Sequence, residues 1–400
     1  MRGIIPVRKN IYWIGANDNE TDLFEAVWPL PKGVSYNSYI IVDDKVALID
    51  AVKSSFLSIY LDKIKSLLGN EKKVDYLVVN HMEPDHSGAV KDLKRMYPDM
   101  KIIGNQKTAE FIKNFYEIEE GVQIIGDGEE IELGEHTLQF FLAPMVHWPE
   151  TMVTYEKSQK VAFTCDAFGG FGNLDDRIFD DQVDIEYYEN EILRYFSNIV
   201  GRYSGMVQRA IKKLKDVEID VVAPSHGPIW REKPQEIIDL YDKWSNHDTE
   251  EGITLVYASM YGNTRRMTEV IARSLADEGV EKVRVHDISR EHISYVLVDI
   301  WRYRGMILGA PTYNTQLFPR MNALVSTLKN KMLKKRYIGI FGNYSWSKGA
   351  VKALDEFVEE SQLTRVKPVI EAQSSPTEND FDRCVELGKN MAEAIKKQPE

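Results

Sequence analysis

A chain of 400 residues exceeds the comfortable size of one hydrophobic core, so two domains are expected. Its 50 basic and 62 acidic residues give a net charge of −12 with no Lys/Arg-rich block, which argues against a nucleic-acid or anionic-membrane partner. The two cysteines, Cys165 and Cys384, form no C-x-x-C motif, which excludes a disulfide framework, a thiolate zinc site and a built-in rubredoxin or iron–sulfur module.

The N-terminal segment, Met1 to Trp13, has neither a long apolar stretch nor a small-residue cleavage site, so it does not resemble a signal peptide. Elsewhere no apolar run approaches the about 18 residues that a membrane-spanning helix needs. We therefore expect a cytoplasmic protein without a membrane partner.

The first part of the chain alternates short strands with helices. Strands are predicted at Tyr39–Val42, Val46–Ile49, Val74–Val79, Ile102–Gly104, Ile131–Leu133, Leu138–Leu142, Met152–Tyr155, Val161–Thr164 and Val221–Ala223. Helices are predicted at Ser54–Leu68, Thr108–Tyr116, Ile192–Leu214 and Pro234–Trp244. Strand pairs followed by helices predict a layered α/β sandwich.

The segment Ser245–Gly252 contains no apolar residue, and we place the domain boundary there, giving domains 1–249 and 250–400. Beyond it the pattern becomes a repeated strand–loop–helix unit. Strands are predicted at Ile253–Ala258, Val283–Asp287, Gly305–Leu308, Tyr337–Phe341 and Val366–Ile370, with helices beginning near Thr264, Phe318, Lys348 and Glu378. This alternation predicts an open, doubly wound, five-stranded parallel sheet.

The densest chemical signal is a hexapeptide that follows the predicted strand Val74–Val79 and contains His81, Glu83, Asp85 and His86. Pro84 disfavours helix at the residue before it, so the segment is predicted to be a loop. Two carboxylates and two histidines without a basic neighbour would repel one another in the anionic form. A bound cation is the natural remedy.

Three further candidates, His147, Asp166 and His226, also come just after predicted strands and lie near Gly or Pro. Side chains at strand ends of one sheet can converge on a crevice. An isolated His in such a place is more often a surface or hydrogen-bonded core residue, but the hexapeptide makes a shared metal site the better interpretation. Four other histidines lack such company and are interpreted as structural or surface residues: His136, His247, His286 and His292.

Four imidazoles and three carboxylates without a thiolate suit iron, manganese or zinc. Their order resembles the H-x-[HE]-x-D-H, His, Asp, His order of the metallo-β-lactamase superfamily, with Glu83 where zinc hydrolases typically have His. The segments 28–38 and 164–172 further resemble the flavodiiron protein family. That resemblance implies an αββα sandwich with two irons: one bound by His81, Glu83 and His147, the other by Asp85, His86 and His226, and both bridged by Asp166.

The second domain begins with a strand that leads into a loop resembling the flavodoxin phosphate loop S/T-x-T-G-N-T, with Tyr261 in place of the usual Thr. Hydroxyl groups and backbone N–H groups at a helix N-terminus form a phosphate cradle without a basic residue. Two later loops at strand ends offer aromatic faces for an isoalloxazine ring. The predicted FMN-binding residues are Ser259, Met260, Tyr261, Gly262, Asn263, Thr264, Pro311, Thr312, Tyr313, Asn314, Thr315, Gly342, Asn343, Tyr344, Ser345, Trp346, Ser347 and Gly349.

The flavodiiron resemblance covers essentially the whole chain. It implies an oxidoreductase that reduces dioxygen to water, nitric oxide to nitrous oxide, or both, with FMN relaying electrons to the irons. It also implies a head-to-tail homodimer, or a dimer of such dimers, that brings each flavin beside the partner's irons. Because the chain has no rubredoxin motif of its own, we expect an external donor such as rubredoxin.

Two other functions compete with this interpretation. A binuclear metal hydrolase with an appended flavodoxin domain would use a metal-bound hydroxide, but Glu83 and the flavin loops count against it. A non-enzymatic electron carrier with a degenerate first domain would not need all seven metal ligands. Preference between dioxygen and nitric oxide is left open.

Overall fold

The structure is a computed structural model that describes residues 3–69, 72–175 and 177–397. The chain divides into two compact units, Met1–Ser245 and Asn246–Glu400. In the described ranges, no helix is both long enough and apolar enough to cross a membrane.

The first unit contains a seven-stranded and a five-stranded sheet. The seven strands follow chain order: Ile5–Arg8, Ile11–Trp13, Tyr39–Val42, Val46–Ile49, Tyr76–Val78, Lys101–Gly104 and Val122–Ile124. The five strands of the second sheet also follow chain order: Glu130–Glu132, Thr137–Leu142, Met152–Glu156, Val161–Cys165 and Val221–Pro224. Every residue of Val46–Ile49, Met152–Glu156 and Val161–Cys165 is buried, so these strands are covered on both faces.

Helices and two small hairpins complete this unit and confirm the predicted α/β sandwich. The helices are Leu57–Leu68, Pro84–Ser87, Val90–Met96, Gln106–Tyr116, Ile185–Tyr195, Ser204–Leu214 and Pro234–Ser245. The hairpins pair Ala16–Asp18 with Val34–Tyr36 and Leu23–Phe24 with Trp28–Pro29.

One helix prediction of the first unit was wrong in its extent. The helix expected at Ile192–Leu214 begins at Ile185, where the side chain of Asp184 accepts a hydrogen bond from Tyr187 N. Acidic residues near a helix N-terminus are stabilised by the helix dipole, so this acidic segment initiates a helix. The helix is interrupted by a π-helical turn, Phe196–Val200, and a 3₁₀ turn, Gly201–Tyr203.

The second unit contains the predicted doubly wound parallel sheet, and the structure gives its strand order as 2-1-3-4-5. Its strands are Val283–Asp287, Glu250–Tyr257, Tyr303–Tyr313, Tyr337–Tyr344 and a last strand in two pieces, Thr364–Arg365 and Ile370–Gln373. Its helices are Asn263–Asp277, Ile293–Arg302, Pro319–Lys331, Ala350–Glu360 and Glu378–Ala394.

Two details of this unit differ from the sequence predictions. The last strand was expected at Val366–Ile370, but Pro368 has no N–H to donate to a ladder, and pairing stops on either side of it. Helix Ile293–Arg302 was not predicted. Its N-cap is His292, whose Nδ1 accepts a hydrogen bond from Ser294 N at 3.2 Å.

Candidate metal centre and flavin site

The hexapeptide is only partly the loop that was predicted. Strand Tyr76–Val78 is followed by a segment without regular secondary structure as far as Glu83, and a one-turn helix then begins at Pro84. Proline is well tolerated as the first helical residue, because its missing N–H would have no partner there. Asp85 and His86 therefore lie within this helical turn, whereas Glu83 precedes it.

Asp166, which directly follows strand Val161–Cys165, lies at the centre of the cluster. Its Oδ2 is 3.2 Å from His81 Nε2 and 3.1 Å from His147 Nε2. Its Oδ1 is 3.0 Å from His86 Nε2 and 3.4 Å from His226 Nε2. Each oxygen of this buried carboxylate therefore faces a different pair of imidazoles.

The other two carboxylates divide in the same way. Glu83 Oε2 lies 3.4 Å from His81 Nε2 and 3.1 Å from His147 Nε2. Asp85 Oδ2 lies 3.4 Å from His86 Nε2 and 3.2 Å from His226 Nε2. The structure thus brings all seven predicted donors together as two triads that share Asp166.

The segment 35–38 holds one of these loops in place, a role that sequence reasoning did not assign. His226 Nδ1 donates to the backbone oxygen of Ser35 at 2.6 Å. Asn37 Nδ2 donates to the carbonyl oxygens of Pro224 and Gly227, both at 2.9 Å. These contacts fix the loop that carries His226 and leave its Nε2 directed towards the carboxylates.

Unpartnered buried atoms indicate that the site fits cations. Within the described residues, His81 Nε2, both carboxylate oxygens of Asp85, Asp166 Oδ2 and His226 Nε2 are buried without a hydrogen bond. Buried polar atoms are almost always satisfied, and these five belong to the predicted ligands and face the space between them. Two divalent cations with nitrogen and oxygen ligands would satisfy them.

Without a cation, protons balance the charge of the carboxylates. Burial opposes protonation of His86, but the charges of Asp85 and Asp166 outweigh it and raise its pKa to about 9. Burial likewise opposes protonation of His147, yet the carboxylates of Asp166 and Glu83 beside it raise its pKa to about 9. For Asp166, burial favours the neutral form, but the charge of His86 and the imidazoles around it hold its pKa well below the ordinary value.

We expect metal binding to release at least two protons per chain at pH 7. With pKa values near 9, His86 and His147 are protonated in the metal-free protein and must lose those protons to bind a metal. Titration calorimetry with Zn²⁺ in two buffers of different ionisation enthalpy measures that number. Zn²⁺ affinity should fall as the pH is lowered from 9 to 6.

The same shifts fix the sign of the pH effect on the metal-free protein. A pKa raised from 6.5 to about 9 stabilises the fold fully below pH 6.5, and this contribution is lost as pH rises through 9. Proton-independent Zn²⁺ binding, or metal-free stability that rises between pH 6.5 and 9, would contradict this assignment.

The three predicted flavin loops of the second unit surround one cavity of about 280 Å³. Fifteen of the eighteen predicted residues line it, and Gly262, Gly342 and Gly349 do not. Tyr261 and Trp346 are 92% and 78% exposed, so large aromatic side chains stand free at the cavity. Such rings are suited to stacking on a planar heterocycle.

The first loop ends in the N-terminal turn of helix Asn263–Asp277, as an anion cradle requires. Ser259 Oγ accepts hydrogen bonds from Gly262 N at 3.1 Å and Arg265 N at 3.4 Å. The N–H groups of the first helical turn have no partner within a helix, so those of Asn263 and Thr264 remain for a phosphate. Arg265 pairs with Glu269 at 2.9 Å, so its charge is already engaged.

The other two loops are packed against each other through Gly349. A β-carbon at Gly349 would lie 2.2 Å from the backbone oxygen of Thr315, which is far closer than atoms can approach. Thr315 and Asn314 both have positive φ, 63° and 45°, and form the two-residue turn between strands Tyr303–Tyr313 and Gln316–Leu317. Gly349 is therefore required for space.

Replacing Gly349 with Ala should weaken FMN binding by about fivefold to about a hundredfold, since overpacking of about 1–3 kcal/mol must displace one loop. Fluorescence titration of flavin-free protein with FMN measures this constant. Gly205→Ala is the matched control, because a β-carbon there would contact nothing within 4 Å. Equal FMN affinity for both variants would show that the loops do not need this contact.

Comparisons with known proteins agree with the two sites. Residues 34–227 match the ODP family of beta lactamases and residues 255–388 match flavodoxin. A nitric oxide reductase of Moorella thermoacetica is 32% identical over 396 residues, which is 98% of each chain. The structure of rubredoxin oxygen:oxidoreductase from Desulfovibrio gigas has a TM-score of 0.94 at 27% identity over 98% of each chain. That of the flavodiiron protein from Giardia intestinalis has a TM-score of 0.93 at 26% identity, over 98% of this chain and 97% of its own.

Proposed function

Since this chain belongs to the flavodiiron protein family, we propose that it reduces dioxygen to water, nitric oxide to nitrous oxide, or both, at a non-haem di-iron site fed by FMN. The observation that carries this function is the position of Asp166, with one oxygen in each of two His-carboxylate triads. The hydrolase alternative is not favoured, because relatives that match nearly the whole chain carry reductase names.

The proposed ligands are the six residues of the two triads together with Asp166, which the triads share, and the proposed flavin site is the set of three loops. When bound, the irons and FMN supply electron storage, binding positions for a small diatomic molecule, and one-electron relay. Asp166, with one oxygen facing each triad, would be a ligand common to both metals. Glu83 and Asp85 each add one negative charge to their own triad, which favours the oxidised metals.

A cavity of about 620 Å³ in the first unit reaches Glu83 and Asp85 from outside. Its walls include Leu23, Phe24 and Phe115, which suit small apolar gases. One wall of the cavity is polar and includes Lys53, whose Nζ lies 3.3 Å from Asp18 Oδ2 and 2.7 Å from Thr21 Oγ1. We propose this cavity as the route by which substrate reaches the metals.

We further propose a rubredoxin-type donor, a head-to-tail homodimer and a cytoplasmic location. The name of the Desulfovibrio gigas relative supports the donor. The dimer rests on the need to bring FMN close to iron, and the location on the composition of the chain. The proposed domain limits are 1–249 and 250–400.

Parallel measurement of dioxygen and nitric oxide consumption tests the function. The iron-loaded, FMN-loaded protein is reduced through a rubredoxin and its reductase, and both gases are followed with electrodes. We expect turnover of at least one gas, with water or nitrous oxide as product. Two zincs per chain, no flavin absorbance and no gas consumption would favour a hydrolase instead.

A further inference from the structure

The two proposed metal positions have matched ligands but different surroundings. Each has two imidazoles, one terminal carboxylate and one oxygen of Asp166. Behind the imidazoles, however, His81 Nδ1 lies 2.7 Å from Glu150 Oε1, whereas His226 Nδ1 lies 2.6 Å from the neutral backbone oxygen of Ser35. His86 Nδ1 has no hydrogen-bond partner within the described part of the chain.

Burial and hydrogen bonds fix Glu150 in place beside His81. It is fully buried, and the Oε1 that faces His81 also accepts a hydrogen bond from Met82 N at 2.8 Å. Asn105 Nδ2 donates to the backbone oxygen of Glu150 at 2.5 Å and fixes its main chain. In residues 3–69, 72–175 and 177–397, the ion pairs of Glu150 involve His81 alone, so no Lys or Arg neutralises its charge.

Another buried carboxylate near the site, Asp50, is hydrogen-bonded to Asn80 and, among the residues that the structure describes, not to an imidazole. Its two oxygens accept hydrogen bonds from the backbone and side-chain nitrogens of Asn80, at 2.7 and 3.0 Å. Among the described contacts it has no hydrogen bond to a ligand histidine. Glu150 is thus the carboxylate that acts on an imidazole directly.

An imidazole that donates its other N–H to a carboxylate becomes a stronger donor to its metal. The nearby negative charge also stabilises the more positive metal ion in a buried site. This inference rests on the proposed di-iron function. We propose that Glu150 makes the two irons unequal in how easily each is oxidised. The iron held by His81, Glu83 and His147 is then the first to lose an electron when the reduced pair is oxidised. Glu150 is a positioning residue for His81 and not a ligand.

The test is a redox titration of the iron-loaded protein, comparing wild type with Glu150→Gln. Removal of one electron per pair by the titrant gives one ferric and one ferrous ion, and EPR measures how much of this state accumulates. We expect its formation constant to fall about tenfold or more in the variant. In ⁵⁷Fe Mössbauer spectra of that state, the substitution should change the ferric signal and leave the ferrous signal unchanged.

The matched control is Glu156→Gln, which changes another fully buried glutamate bonded to a histidine, His136 at 3.0 Å, outside the metal cluster. It should leave both measurements at wild-type values. A change confined to the ferrous signal, or an unchanged formation constant, would overturn the proposal.

Glu150→Asp is a second variant that keeps the negative charge, and it should retain the wild-type ferric signal and constant. If it behaves like the Gln variant, packing and not charge is responsible, and the proposal is wrong. A wild-type protein that binds no pair of irons would instead contradict the proposed function, so the two failures are distinguishable.

Discussion

Replacing Asp166 with Asn is expected to lower dioxygen and nitric oxide turnover by more than about a hundredfold and to reduce bound iron below two per chain. Both triads depend on this one carboxylate, whose oxygens lie 3.0 to 3.4 Å from four ligand imidazoles. Mutation of a group that only supports a metal ligand typically lowers metal affinity or activity by about 10–100-fold. Mutation of a ligand shared by both metals should lower them further. An amide is neutral and has one oxygen, so it cannot offer an anionic oxygen to both metals.

Iron analysis, flavin absorbance and gas electrodes measure this outcome together. FMN content should stay at the wild-type level, because the flavin loops belong to the other unit. Asp180→Asn is a matched control, since Asp180 is a buried carboxylate that accepts hydrogen bonds from Arg231 N and Lys233 N outside the metal cluster. An Asp166 variant with two irons and turnover within about tenfold of wild type would contradict the bridging role.

The metal ligands could be predicted because most of the information is local. Four of the seven donors occur within six residues, and the other three follow strands by one residue (Asp166), two (His226) or five (His147). The groups behind the ligands could not be found this way. Glu150 is 69 residues from His81 and Ser35 is 191 residues from His226, so only the folded chain brings each pair together.

The fold was predictable where hydrophobic pattern and position agree. The parallel sheet of the second unit has four of its five strands where they were expected, since βα repeats leave few topologies. Helix Ile293–Arg302 was missed because its β-branched and aromatic residues are equally typical of a strand. Its five buried residues, Ser294, Val296, Leu297, Ile300 and Trp301, show helical spacing, which was the available signal.

A second large effect is expected from Arg336, a fully buried residue of the flavodoxin-like unit. Its guanidinium donates to the backbone oxygens of Ile300 at 3.1 Å, His247 at 2.9 Å and Lys334 at 2.7 Å, and also to that of Trp301. One planar group with five N–H donors thus joins the end of helix Ile293–Arg302 to two other segments. Sequence reasoning did not single it out, because an isolated Arg is usually exposed.

Replacing Arg336 with Met should destabilise this unit by about 3–5 kcal/mol, because the carbonyl groups of Ile300, Trp301 and His247 lose a charged donor at buried hydrogen bonds. For a unit of this size, that corresponds to a fall of about 10 °C in melting temperature. Release of FMN fluorescence during heating follows this unit specifically. Arg273→Met, at a side chain 79% exposed and paired with Asp277, should shift the melting temperature by about 2 °C or less. Since Lys offers three donors to the same space, the melting temperature of Arg336→Lys should lie between those of wild type and Arg336→Met. An Arg336→Met variant as stable as wild type would show that water satisfies these carbonyl groups.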